Sequence, residues 1–157
     1  MYLKSNSFEK GGQIPKKYSC QVENISPPLN WGNIPEGTKS LMLFVFDKDV
    51  PTSFLHLTTI DHWVVYNIPP EITELQEGVP KGDRLENGAF QGKNTKNDLS
   101  YTGSCPPFGG HEYHFELYAL SKNLEIKSEE ATRNNLIKLA KGNVIETTEL
   151  KAKYRHQ

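Results

Sequence analysis

Short apolar stretches separated by frequent turn-forming residues constrain this fold more than any other feature of the sequence. Glycine and proline occur 12 and 10 times, and they recur along the chain in clusters such as KGG, SPP, NIPEG, VPKGD and PPFGG. Such clusters break helices and close the turns between strands. The pattern predicts an all-β domain with long loops, and 157 residues suit a single domain, 1–157, with its own hydrophobic core.

Three segments show the residue patterns that are typical of β-strands. They span residues 40–47, 61–69 and 111–120. The first carries apolar residues on both of its faces, so we expect a central strand that is covered on both sides. The chain between residues 75 and 104 has few apolar residues, and so long a polar connection in a compact domain is typical of a functional or partly mobile loop.

Polar residues at the ends of these strands lie in phase with the apolar faces. His111 and Tyr113 fall on the apolar face of the third strand, whereas His114 falls on the opposite face. Asp47 ends the first strand in phase with its apolar residues. His62 opens the second strand, and alternation places it on the face opposite the tryptophan that follows it. If the strands are neighbours, these groups gather at one rim of the sheet.

One short helix is predicted near the C-terminal end. Ser128 is the expected N-cap, and Leu136, Leu139 and Ala140 form an apolar stripe on one face. Gly142 can adopt the left-handed conformation that ends a helix. The residues after it are predicted to be extended.

Composition excludes several function classes. The net charge is −1 and the calculated pI is about 6.5, without a basic stripe, so we expect no nucleic-acid partner. The longest apolar run, LMLFVF, has the length of a strand, so we expect no transmembrane segment. The first residues, MYLKSNSFEKGG, lack the apolar region of a secretory signal, which predicts a cytoplasmic location.

The two cysteines, Cys20 and Cys105, do not form a zinc-binding pattern. In a reducing compartment we expect two free thiols. A single disulfide between them is left open, because the spacing alone does not decide it.

The loop YTGSCPPFGGH resembles a cradle for a small anion. Gly103, Gly109 and Gly110 permit a close approach of the backbone, and Pro106 with Pro107 stiffens the loop. Oriented backbone N–H groups and nearby histidines bind anions well. Imidazole ordinarily titrates near pH 6.5, so we expect the two neighbouring histidines to supply positive charge on demand.

Four motifs together resemble the phosphatidylethanolamine-binding protein family, and most closely its prokaryotic Raf-kinase-inhibitor-like branch. They are SPPLNW (26–31), DKDVP (47–51), HWVVYNIP (62–69) and GSCPPFGGHEYHFELYAL (103–120). The resemblance covers nearly the whole chain in order. It implies an antiparallel β-sandwich, with a large sheet packed on a smaller one, and one short C-terminal helix.

The resemblance also implies a ligand site and a class of function. By motif position, the ligand-binding residues are Asp47, His62, Cys105, Pro106, Pro107, His111 and Tyr113. The implied function is a non-enzymatic binding module for phosphate or carboxylate groups, such as a phospholipid head group or a phosphorylated ligand. Family members are described as regulators of kinases or inhibitors of proteases, so a protein partner of either kind is expected. No metal or other cofactor is expected, and a homodimer is left open.

Three alternatives remain at this stage. Asp47, His62 and His111 have the composition of a metal site with two histidines and one carboxylate, although the H-x-H spacing of cupins is absent. Cys105 and His111 could form a cysteine hydrolase. A rigid exposed loop, either 49–59 or the polar 75–100 segment, could instead inhibit a protease.

Overall fold

Two antiparallel β-sheets and one α-helix make up the fold in the computed structural model, which describes residues 1–51, 57–103, 105 and 110–155. In chain order the elements are β1 (Tyr2–Lys4), β2 (Leu29–Gly32), β3 (Ser40–Pro51), β4 (Leu57–Ile68), β5 (Glu74–Leu75), β6 (Phe90–Gln91), β7 (Gly110–Leu120), α1 (Arg133–Ala140) and β8 (Val144–Arg155). The small sheet has the order β1-β2-β5 and the large sheet β6-β4-β3-β7-β8. The predicted sandwich with a large and a small sheet is confirmed.

Strand β3 lies at the centre of the large sheet and is buried on both faces, as its sequence predicted. One face of the sheet packs against the small sheet through a first apolar cluster, which includes Leu41, Leu43 and Val45 of β3. The opposite face packs against α1 and its flanking loops through a second cluster, which includes Phe44 and Phe46. Burying both faces removes a large apolar area from water, the main term that stabilises the fold.

Helix α1 begins four residues later than its sequence predicted. The N-cap is Thr132, whose side-chain oxygen accepts a hydrogen bond from the backbone N–H of Asn135 at 3.2 Å. Ser128 instead begins a short 3₁₀ turn, and its hydroxyl contacts Tyr66 Oη at 3.3 Å. Gly142 has φ +83°, in agreement with the predicted helix stop. The helix has eight residues, and no helix in the described part of the chain could cross a membrane.

The polar segment between residues 75 and 100 is organised by two buried amides. Gln91 Oε1 accepts a hydrogen bond from Trp63 Nε1 at 2.7 Å, and its Nε2 donates to three backbone carbonyls of this segment. Asn94 Oδ1 accepts from the backbone N–H groups of Lys96 and Asp98. These bonds replace the regular ladder of a strand and hold the connection in one conformation.

A segment from the N-terminal part of the chain covers part of the outer edge of β8. The backbone N–H groups of Gly11 and Ile14 donate to the carbonyls of Lys151 and Lys153, at 2.7 and 2.8 Å. Lys153 N–H in turn donates to the carbonyl of Gly12 at 2.8 Å. Because an open strand edge can pair with another chain, this segment protects the edge along these residues.

Candidate functional site

Asp47 and His111 form a buried ion pair on the face of the large sheet that packs against the small sheet. The distance from His111 Nδ1 to Asp47 Oδ2 is 3.0 Å, and the side chains are 12% and 5% exposed. The sequence predicted that Asp47 ends its strand. This prediction is wrong, because β3 continues to Pro51. The carboxylate accepts the Nδ1–H of the imidazole, which fixes the ring and leaves its Nε2 for another contact.

Tyr113 lies beside this pair because of the strand register. It is the antiparallel partner of Asp47 across the β3–β7 ladder, and it is two residues from His111 on the same face. Its ring packs against that of Tyr154 on β8, with centroids 6.4 Å apart. Tyr154 Oη donates a hydrogen bond to Gln21 Oε1 at 2.9 Å. The loop that contains Gln21 is thereby tied to the site.

His62 reaches the same face through a bulge in β4. Val45 pairs with Trp63, whereas the next residue of β3, Phe46, pairs with Asp61, so His62 is an extra residue in its strand. Such an insertion shifts the alternation of side chains by one position. The ring of His62 lies 5.1 Å from that of Tyr113. The expectation that His62 faces away from Trp63 is therefore wrong, since strict alternation does not hold through the bulge.

The imidazole of His62 is buried and neutral. It is 5% exposed, and its Nδ1 lies 3.0 Å from the carbonyl oxygen of Thr102. Burial lowers the pKa of His62 to about 4, the charge of Lys96 acts in the same direction, and the bond to Thr102 opposes both. Nε2 has no hydrogen-bond partner among the described residues. The prediction that this histidine supplies positive charge near neutral pH is wrong, because desolvation disfavours its charged form.

A disulfide between Cys20 and Cys105 anchors the loop that follows Thr102. The Cα atoms are 5.7 Å apart and the bridge closes a sequence separation of 85 residues. The expectation of two free thiols is wrong in this structure. A sulfur in a disulfide is not a thiolate nucleophile, so this oxidised form does not offer the Cys105–His111 hydrolase pair.

The proximal part of that loop packs against protein rather than opening toward a ligand. A Cβ atom added at Gly103 would lie 2.2 Å from the backbone oxygen of Tyr18. Gly103 N–H donates to Asn24 Oδ1 at 2.5 Å. Only glycine fits at this close approach. Pro106, Pro107 and Gly109 lie outside the described residues, and their predicted roles stay predictions.

His114 provides an internal comparison on the same strand. Its ring stacks on Phe46 with centroids 5.1 Å apart, and its Nδ1 lies 3.1 Å from Glu149 Oε2. Phe46 belongs to the cluster on the helix side of the sheet. His114 is thus on the face opposite His111, as predicted, and it takes no part in the group around Asp47.

His111 is the member of the ion pair that borders the surface. A depression of about 290 Å³ adjoins it, lined also by Gln13, Gly110, Glu112, Lys153, Tyr154 and Arg155. A larger depression of about 770 Å³ lies elsewhere, along residues 71–81 and 84–87. A ligand at the site could therefore contact His111 without a rearrangement of the sheet.

The metal-site alternative has no support among the residues that the structure describes. No group of three or more His, Cys, Asp or Glu side chains is placed to hold a metal ion there. The protease-inhibitor alternative stays a prediction, because residues 52–56 of the loop at 49–59 lie outside the described residues. The 75–100 segment is the ordered connection around Gln91 and Asn94.

Sequence reasoning did not find three residues that support the site. They are Thr102, Gln21 and Tyr154, each acting through a hydrogen bond or ring contact with a predicted site residue or with the loop beside it. Tyr154 had a detectable signal, because apolar residues alternate at the end of β8. The other two lie in loops, where no periodic pattern marks an inward-facing residue.

The large sheet packed on a small one places the chain in the class of antiparallel β-sandwich proteins. Residues 4–155 match the family model described as phosphatidylethanolamine-binding protein. The chain belongs to this family, in agreement with the resemblance seen in its motifs.

Relatives of similar length support this assignment. A UPF0098 protein of Methanothermobacter thermautotrophicus is 41% identical over 155 residues, with 99% of each chain covered. A crystal structure described as a putative phosphatidylethanolamine-binding protein homologue from Chlamydia trachomatis matches with TM-score 0.89 and 39% identity, covering 99% of this chain and 97% of that one. E. coli YbcL, described as a new member of the mammalian family, matches with TM-score 0.87 and 32% identity, covering 99% and 98%.

Proposed function

We propose that this protein is a non-catalytic binding module that holds a phosphate or carboxylate group beside His111. The observation that carries the proposal is the buried Asp47–His111 pair, 3.0 Å apart, at a depression in the surface. Asp47 orients the imidazole through Nδ1, so that a protonated ring directs its Nε2–H toward an anion. Family membership supports a ligand-binding role, and the resemblance of the motifs implies a pocket at these residues.

The proposal includes a wider role as a regulator. A phospholipid head group or a phosphorylated ligand would occupy the site, and a kinase or other signalling protein would be the partner. A cytoplasmic location is part of this proposal, under one condition. Disulfides persist mainly in oxidising compartments, so in a reducing cytoplasm the Cys20–Cys105 bridge would have to resist the thiol pool.

The test compares two histidines of the same strand. Binding of phosphate, acetate and phosphoethanolamine is measured by calorimetry and by the rise in melting temperature, at two pH values. A hydrogen bond to a charged group contributes about 1.5–3 kcal/mol, so His111→Ala should weaken binding by about tenfold or more. His114→Ala should leave the affinity nearly unchanged, because His114 lies on the other face.

Removal of His111 takes a hydrogen-bond donor away from the buried carboxylate of Asp47, which destabilises the fold. Affinities are therefore compared at a temperature at which both variants are folded. Equal losses in the two variants would contradict the proposal, as would the absence of binding by any of the three anions. Turnover of a bound ligand would contradict the non-catalytic assignment.

A further inference from the structure

We propose that the site selects a small phosphomonoester in its singly protonated form, with one P–OH group, over a phosphodiester such as a lipid head group. The proposal rests on the proposed function and narrows its ligand class. Its basis is the buried ring of His62, whose second nitrogen has no partner among the described residues.

The hydrogen bond of His62 fixes which ring nitrogen carries the proton. Nδ1 lies 3.0 Å from the carbonyl oxygen of Thr102, and a carbonyl oxygen can only accept. Nδ1 must therefore carry hydrogen. A neutral imidazole has one donor nitrogen and one acceptor nitrogen, and burial keeps this ring neutral. Nε2 is then a bare lone pair that accepts hydrogen bonds.

A buried acceptor without a donor costs stability, and such atoms usually mark a function or a missing group. His62 is 5% exposed, and its Nε2 exposes less than 1 Å² to solvent. The ring lies against Tyr113, which is the register partner of Asp47. In the proposed complex, a ligand bound through His111 extends along Tyr113 to this acceptor and satisfies it with an O–H group.

Two ionisable groups act on His62 directly. They are Tyr113 of β7, whose ring packs against it, and Lys96 in the segment before Thr102. Tyr113 in turn lies beside Asp47 of β3, its register partner, and Tyr154 of β8, whose ring it contacts. Asp47 as a carboxylate also only accepts hydrogen bonds. A fully ionised phosphate would meet a carboxylate and a lone pair, whereas a singly protonated ester offers O–H to His62 and O⁻ to His111.

The experiment compares methyl phosphate with dimethyl phosphate by calorimetry. At about pH 5.5 both carry close to one negative charge, because the second pKa of a phosphomonoester is about 6, and only methyl phosphate has a P–OH group. We expect methyl phosphate to bind at least about tenfold more tightly. Dimethyl phosphate does not titrate in this range, so any change in its affinity with pH comes from the protein. Dividing the affinity for methyl phosphate by that for dimethyl phosphate therefore removes the protein's own pH dependence. The ratio should fall as pH rises to about 7.5.

Inorganic phosphate, tested alongside, distinguishes a free anion from an ester. The preference should vanish in His62→Leu and persist in His114→Ala, which changes a histidine on the opposite face. Equal affinities, or tighter binding of the diester, would overturn this inference and leave the proposed function intact. If none of these anions binds, the proposed function itself fails.

A second measurement needs no variant. Nitrogen NMR of the wild-type imidazoles distinguishes protonated from bare ring nitrogens. We expect Nδ1 of His62 to carry hydrogen and Nε2 to be bare, with the Nε2 signal shifting when methyl phosphate is added. A protonated Nε2 in the free protein would overturn the inference, even if His62→Leu fails to fold.

Discussion

The position of His62 depends on one inserted residue in β4. Alternation predicted that this side chain points away from Trp63, yet the bulge between Asp61 and Trp63 turns it toward Tyr113. Asp47, His111 and Tyr113 follow strict alternation, and their juxtaposition could be predicted from their phase in the strands. The face on which His62 lies could not be predicted, because a bulge depends on cross-strand pairing that no local sequence pattern encodes.

The buried neutral state of His62 makes stability depend on pH. Unfolded histidine takes up a proton below about pH 6.5, whereas the native ring does so only near pH 4. Between these values the unfolded state binds more protons, so the free energy of unfolding rises with pH. The stability that depends on a neutral His62 is fully present above about pH 6.5 and is lost as pH falls toward 4. This loss of unfolding free energy is at most about 3 kcal/mol.

Urea unfolding between pH 4 and 7 checks this expectation. His62→Gln keeps a hydrogen-bonding side chain without a titrating group, so its stability should vary less with pH in this window. The difference between the two curves isolates His62 from the Asp47–His111 pair, which is present in both proteins. Parallel curves would mean that His62 does not titrate as its burial implies.

At the scale of elements, the sequence predicted the three apolar strands correctly, but it did not predict the residue at which the helix begins. The three predicted strands are all present, because apolar residues on one or both faces require burial in a sheet. The helix N-cap was placed at Ser128 rather than Thr132, since both residue types cap helices and the sequence offers both. Leu139, predicted as part of the buried stripe, is 38% exposed, whereas Leu136 is fully buried.

These two leucines make a matched test of helix packing. Leu136→Ala should destabilise the protein by about 2–5 kcal/mol, because it removes a buried side chain and leaves a cavity. Leu139→Ala should cost less than about 1 kcal/mol, because that side chain is already partly in water. Both changes introduce alanine into the same helix, so helix propensity cancels to first order. Similar losses of unfolding free energy would contradict the packing of α1 described above.

At the scale of the whole molecule, the disulfide was the feature that sequence left open. Two cysteines that lie 85 residues apart have no local pattern that shows whether they meet. Their proximity follows from the sheet topology, which brings the loop before β7 next to the loop after β1. The pattern of strands and turns predicted an all-β domain, and the sandwich was implied by the family resemblance of the four motifs.

The bridge should make stability depend on redox conditions. Reduction of the bridge, which closes a loop with a sequence separation of 85, removes about 4.5 kcal/mol of unfolding free energy in the chain-entropy treatment. Denaturation with and without a thiol reductant measures the loss. The double variant Cys20→Ser with Cys105→Ser should match the reduced protein and should not respond to reductant. An unchanged midpoint for the wild type on full reduction would contradict a stabilising role for the bridge.

The cover on β8 has a consequence for the synthesis of the chain. Residues 11–14 hydrogen-bond to residues 151–153, so the two partners lie about as far apart in sequence as the chain allows. During translation the early segment leaves the ribosome on the order of ten seconds before its partner is made. Throughout that time its backbone groups have only water or a chaperone to bind. The edge of β8 therefore gains this cover only after residues 151–153 have been made, late in the synthesis of these 157 residues.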